Sequence, residues 1–376
     1  MTDDKQIGKK LNISGLDTVS LGETLLSHVD GERGELVVGG YSIDDLAENC
    51  RFEDVCHLLW VGSLPSAQER KALKDSLGQQ RVDVFHGMKS LTGGAKNGMD
   101  FIRRAVAAVA PPDDQEECSR ERVTAAVAVA AAIWNRVNQG LPPIPPRAEA
   151  CHGEDYLHMI TGRDVDERLW AALDRYWVTV IDHGMNASTF AARVVASTGS
   201  DLVSSVVAGI GALKGPLHGG APGPVLDMLN AIATPENALI WLEKELSLGR
   251  RIMGMGHRIY RVRDPRAAVL EAAILKLEKS GLKSRTLTLA RSVERAAADL
   301  LAQRYPGRPL KANVEFYTAV LLDVIGLPPG TFATTFAAGR VAGWCAHVKE
   351  QREFGRLIRP QSTYSGPMGL KVLGLG

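Results

Sequence analysis

The chain predicts a mainly α-helical fold, on three observations. Val123–Val137 (VTAAVAVAAAIWNRV) is apolar on nearly every face and too rich in alanine for a strand, so it reads as a helix buried among other helices. Apolar patterns of helical period recur along much of the remaining chain. Alternating patterns are scarce, with Glu35–Val38 the best strand candidate.

Taken in order, the strand at Glu35–Val38 is followed by helical patterns at Asp54–Val61 and Val123–Val137, where small side chains permit close helix contacts. Further patterns lie at Asp166–Ile181, Asn186–Ser197, Leu202–Leu213, Ala267–Lys279, Arg285–Gln303, Val314–Ile325 and Phe332–Gln351. Breaks fall where proline and glycine cluster, at Gly140–Pro146, Lys214–Pro224, Tyr305–Pro309 and Leu327–Gly330. The first is a plain surface loop. The second, KGPLHGGAPGP, sets His218 between glycines and prolines just after an apolar helix, a loop able to present the histidine at a cleft mouth.

A chain of 376 residues with 45% hydrophobic content is long enough for one large or two ordinary domains. Its formal net charge of +1, from 44 basic and 43 acidic residues, gives no electrostatic reason to expect nucleic acid or a membrane as the main partner. The ligand should be small and local. Cys50, Cys56, Cys118, Cys151 and Cys345 form no CxxC pair and show no zinc-type spacing, so buried free thiols are expected and no metal. Met1–Lys10 is charged where a signal peptide would be apolar, and no run reaches the roughly 18 apolar residues of a membrane span. A cytoplasmic protein is expected.

Gly254–Arg266 (GMGHRIYRVRDPR) packs a glycine-bracketed histidine and four arginines into one segment. Glycines let backbone N–H groups approach a ligand, arginines pair with carboxylate or phosphate, and histidine moves protons near neutral pH. Such a segment can hold anions around an acid, or it can be a solvated basic loop. The rest of the chain decides between these.

In order, GPLHGG around His218, GMGHRIYRVRDPR around His257 and NVEFY at Asn313–Tyr317 resemble the citrate synthase family. The resemblance extends through GLDTVSLGETLLSHVDGERGELVVGGYSIDDLAE at Gly15–Glu48, DHGMNASTFAARVVAST at Asp182–Thr198, GRVAGWCAHVKEQ at Gly339–Gln351 and RLIRPQSTYSGP at Arg356–Pro367. It implies a two-domain helical fold and an obligate dimer with shared active sites. Residues 1–218 and 322–376 would form the large domain, carrying the dimer interface and oxaloacetate site. Residues 219–321 would form a smaller mobile domain with the CoA site.

The resemblance further implies condensation of acetyl-CoA with oxaloacetate and hydrolysis of the thioester to citrate and CoA. Glu315 would be the base that removes a methyl proton, and His218 the donor to the thioester oxygen. His257 would polarise and protonate the oxaloacetate carbonyl. Arg266, Arg340 and Arg359 would hold the two carboxylates, with His183 adding a hydrogen bond and Arg359 reaching in from the partner subunit. The Met255 and Gly256 backbone and Arg261 would hold CoA. The acyl-CoA is a co-substrate, and no permanently bound cofactor is expected. Arg258 and Arg263 are read as solvated or supporting, and the Trp344–His347 pair as packing. The match starts at about Gly15, so a dimer without the extra N-terminal segment of hexameric, NADH-regulated relatives is expected.

Two departures stand out. Glu315 replaces the aspartate of the common NVDFY form, one methylene longer, and a reacting group displaced by about 1 Å can cost on the order of 100-fold in rate. After His218 the common GGANE form is replaced by Gly219-Gly220-Ala221-Pro222-Gly223-Pro224, where prolines fix φ in place of polar side chains. Both changes are expected near the acyl site and coupled. The segment between Arg340 and Arg359 is also one residue shorter than in some relatives. The alternatives are a 2-methylcitrate synthase using propionyl-CoA, a low-activity CoA- or dicarboxylate-binding paralogue, and a condensing enzyme for a longer acyl-CoA. An extra methylene in an apolar pocket is worth only about 1–3 kcal/mol, so some activity with both short acyl groups is expected.

Overall fold

The computed structural model describes residues 15, 19–91, 94–112, 115, 117–218, 222–282 and 284–371. Among them, one small sheet and fifteen α-helices account for the regular structure. β1 (Ser27–Asp30), β2 (Glu35–Val38) and β3 (Tyr41–Ser42) form an antiparallel meander, with Ser27 opposite Val38 and Val37 opposite Ser42. Ser42 then caps α1 (Ile43–Asn49), its hydroxyl accepting from the Asp45 N–H.

The predicted helices appear as α2 (Phe52–Val61), α5 (Arg120–Asn138), α7 (Glu167–Val180), α8 (Ala187–Ala196), α9 (Leu202–Leu213), α12 (Pro265–Lys279), α13 (Arg285–Arg304), α14 (Val314–Ile325) and α15 (Phe332–Phe354). Six more were not read from the pattern: α1, α3 (Ala67–Met88), α4 (Gly98–Ala107), α6 (His152–Thr161), α10 (Pro222–Ile232) and α11 (Ala238–Ser247). The buried line of α3 runs Leu73, Leu77, Arg81, Val84, Met88, so a charged residue interrupts its apolar stripe. In α10 the prolines sit in the first turn, where a missing N–H costs nothing. The expected break at Lys214–Pro224 therefore ends at Pro222, and Gly219, Gly220 and Ala221 lie outside the described residues.

α5 and α15 run through the core. Every residue of α5 from Val123 to Ile133 is buried. α15 packs on α2, α5, α7, α8 and α9, and two buried indoles donate to its carbonyls, Trp177 Nε1 to Thr335 O at 2.9 Å and Trp60 Nε1 to Ala342 O at 3.0 Å. A Cβ on Gly343 would lie 2.1 Å from Ile181 O, so a bare glycine lets α15 touch the chain just before His183. α10 packs against α13 and α14, and α11 against α13, while α12 packs on α14 and also on α1 and α7. A domain boundary at 321 would cut α14 in its last turn, because that helix continues to Ile325. All five cysteines are free thiols, four of them buried. No helix of the described residues is long and apolar enough to cross a membrane, and none of their His, Cys, Asp and Glu side chains cluster as a metal site.

Candidate active site

The loop after Ile252 is fastened to the segment entering α14. Met255 lies opposite Ala312 in an antiparallel bridge, with Asn313 N donating to Gly254 O at 2.9 Å and Gly256 N to Lys311 O at 2.7 Å. Gly254 has φ +72°, and a Cβ there would stand 2.9 Å from Phe316 Cβ. Asn313 caps α14, accepting from Glu315 N, and also donates to Gly256 O at 2.8 Å. Asp264 caps α12 and accepts from Val314 N at 3.1 Å. These bonds bring His257, Arg266 and Glu315 to one place.

Arg266 is buried and already paired: its Nε reaches Asp264 Oδ1 at 3.0 Å and its Nη2 reaches Oδ2 at 2.8 Å. His257 Nδ1 accepts from the backbone N–H of Ile259 at 3.1 Å and of Tyr260 at 3.2 Å. In a neutral imidazole the two amides put the proton on Nε2, and Arg266 Nη2, a donor 3.4 Å from that nitrogen, must turn away for Nε2–H to reach a carbonyl. Burial and the adjacent Arg266 bring the ring down to about 4, so His257 is a neutral donor at pH 7. His183 packs against it with ring centroids 5.6 Å apart and meets Tyr260 Oη through Nε2 at 3.0 Å. Burial, then Arg266 and His257, hold His183 well below its ordinary value.

Arg340 reaches the same chamber from α15. Its Nε donates to Val180 O, its guanidinium lies 4.8 Å from the Phe336 ring centre, and no carboxylate among the described residues lies at ion-pair distance. Burial lowers it to about 10, so it remains a cation. Glu315 Oε2 is buried with no hydrogen-bond partner. Burial and Asp264 push this carboxyl up to about 7, against the pull of Arg266 and Arg340.

His218 is held from α8, its Nε2 2.9 Å from Ser188 Oγ, which also meets Asn186 Oδ1 at 2.7 Å and Trp344 Nε1 at 3.2 Å. Burial, then Arg340, bring His218 down to about 4. Trp344 thus packs and anchors, as expected. Beside the chamber, His347 links Asp182 Oδ1 at 3.1 Å to Arg193 Nη1 at 2.9 Å. Burial would raise Asp182, but His347, Arg340 and Ser27 bring it down to about 2.

The arrangement can hold an anion at Arg340 and Arg266, donate to a carbonyl from His257, and take a proton at Glu315. Residues 15–361 match the family described as citrate synthase, C-terminal domain. The chain belongs to the citrate synthase family. The citrate synthase of Haloferax volcanii is 35% identical over 95% of this chain and 96% of its own length. The 2-methylcitrate synthase of Mycobacterium tuberculosis is 34% identical over 94% of this chain and 90% of its own. The Thermoplasma acidophilum citrate synthase, solved as a ternary complex with carboxymethyl coenzyme A and oxaloacetate, superposes with a TM-score of 0.85 at 27% identity, over 96% of this chain and 98% of that one.

Against the family pattern, the structure gathers His183, His257, Arg266, Arg340 and Glu315 around one chamber, with His218 within electrostatic reach of Arg340. Arg359 is not brought to it: the residue is exposed and its Nη1 meets the Pro360 carbonyl. Both Gly256 backbone groups are committed, to Lys311 and Asn313, which leaves the Met255 N–H and C=O pointing away from the bridge. Arg261 is half-exposed and 3.9 Å from Glu32, with its own N–H bound to Gly31 O at 2.8 Å. Arg263 supports the loop through Glu271 and Glu294. Asp264, Tyr260 and Ser188 went unread. Asp264 carried a signal, an aspartate directly before a proline at a helix start; nothing local distinguished the other two.

Proposed function

We propose that this protein condenses acetyl-CoA with oxaloacetate and hydrolyses the thioester to release citrate and CoA. The observation that carries the reading is Glu315, a half-buried residue whose Oε2 is sealed without a partner and whose carboxyl is raised to about 7, on the same Asp264–Arg266 framework as the neutral donor His257. A base with that poise takes a proton from the acyl methyl, and the enolate carbon bonds to the ketone carbon of oxaloacetate. His257 polarises the ketone oxygen through Nε2–H and shares its proton with the alkoxide as the bond forms. Arg340 takes one carboxylate, Arg266 and His183 help seat the other, and water then cleaves the thioester. For His218 to donate to the thioester oxygen through Nδ1, the Ser188 hydroxyl must turn its proton to Nε2.

The active enzyme in this reading is a cytoplasmic homodimer. Arg359 stands exposed on a C-terminal segment beside exposed Leu357 and Tyr364, which supports its insertion into the partner's site. CoA lies against the Met255 backbone and Arg261, and residues 219–321 close over it. The packing of α10 against α14 supports coupling between Pro222 and Glu315.

The test is release of free CoA thiol from acetyl-, propionyl- and butyryl-CoA, each with and without oxaloacetate. Oxaloacetate-dependent release, with the highest kcat/KM for acetyl-CoA, is expected. A propionyl-CoA optimum makes the enzyme a 2-methylcitrate synthase. No release from folded dimer overturns the reading in favour of a binding paralogue.

A further inference from the structure

Beneath Glu315 the fold buries two hydroxyls that the chemistry above does not use. Thr318 lies three residues along α14 from Glu315, so the two side chains leave neighbouring points on one helix face. Tyr176 comes from α7, which packs against α14. Tyr176 and Thr318 are each 0% exposed. Tyr176 Oη, Thr318 Oγ1 and Glu315 Oε2 are all buried; none makes a hydrogen bond of good geometry, and the nearest approach is between the Tyr176 and Thr318 hydroxyls.

Packing does not explain them. Buried polar groups are normally paired, and phenylalanine and valine would fill the same volumes without desolvating a hydroxyl. Tyr176 senses both of the other groups. Burial, then the charge of Glu315, hold the Tyr176 phenol well above its usual range, and the Thr318 hydroxyl, close enough to hydrogen-bond it, pulls it back. A phenol so held remains a donor wherever the enzyme works. Meanwhile the cations that stabilise the Glu315 carboxylate are Arg266 and Arg340, the same groups proposed to turn toward substrate carboxylates.

We propose that Tyr176 and Thr318 are positioning residues for Glu315, whose hydroxyls turn to its carboxylate as donors when it ionises, fixing its rotamer while the arginines hold substrate. This rests on Glu315 being the base that takes the methyl proton. The neutral acid makes no demand on these donors, so they are idle in one protonation state and engaged in the other. They keep the charged form of a buried base accessible once substrate has taken up the surrounding positive charge.

The test is kcat/KM for acetyl-CoA against pH in Thr318→Val, Thr318→Ser and Tyr176→Phe, with Glu315→Gln alongside. Losing a donor to the carboxylate raises its pKa, so the acid limb should move up by about one unit in the valine and phenylalanine variants. The serine variant should keep the original limb, and KM for oxaloacetate should be unchanged in all three. Unmoved limbs with a uniform loss of rate, or a serine variant that behaves as valine, overturn the proposal while leaving Glu315 as the base, provided Glu315→Gln is inactive. An active Glu315→Gln removes the base and this proposal with it. If Tyr176→Phe fails to fold, the valine and serine pair at 318 decides alone.

Discussion

Arg81 and Arg340 are both guanidinium groups sealed in helical packing, at 0% and 2% exposure, and their surroundings differ. Arg81, on α3, pairs with Asp155 and donates to the carbonyls of Ala150 at 2.8 Å and Arg147 at 3.3 Å, with His152 Nδ1 at 3.0 Å. Arg340 has one carbonyl and an aromatic ring. A buried cation whose three nitrogens are all answered, as in Arg81, belongs to the architecture. One left incomplete costs stability until an anion arrives, which is what a substrate site requires. The two arginines look alike as letters in an apolar stripe; their partners separate them.

The largest test of this contrast is Arg81→Met. It strands the Asp155 carboxylate in the core, and a loss of about 3–5 kcal/mol in denaturant unfolding is expected, with kcat of the folded protein unchanged. A loss below about 1 kcal/mol, the range of a surface pair, would erase the contrast. Next comes Arg340→Met, for which kcat/KM for oxaloacetate should fall about 100-fold, near 3 kcal/mol, while the melting temperature holds or rises. Unfolding of the kind expected for Arg81→Met would instead make Arg340 architectural.

The smallest effect concerns Glu315, whose pKa is raised from 4.5 to about 7. Activity needs its carboxylate, so kcat/KM should rise with pH through about 7. Stability should run the other way. Between 4.5 and about 7 the native state holds the proton that the unfolded chain has lost, so the stability from this group falls as pH rises through that window and levels off above it. Unfolding midpoints across pH, compared with Glu315→Gln, check this; identical profiles would show that burial does not perturb the group.

Much of the helical skeleton was legible. α9 and α14 match their predicted limits, and β2 its predicted span, because apolar periodicity and flanking breaks are local. α3 was illegible for the reason that makes it instructive: Arg81 occupies a core position of its stripe. α6 hides in the same way, burying His152 and Asp155 among its apolar residues. Both helices depend on a polar cluster assembled from separate segments, and no window on either one contains its partners.

The sequence by itself determined the helical class, the family, and His183, His257, Glu315 and Arg340 as candidates, since these stand in short motifs whose spacing survives without the fold. Tertiary structure decided their states. It neutralised Arg266 with Asp264, committed the Gly256 N–H to Lys311, put the His257 proton on Nε2, and left Arg359 outside its own chain's chamber. Charge, tautomer and hydrogen-bond vacancy are set by desolvation and by partners from distant segments, and those quantities exist once the helices have packed.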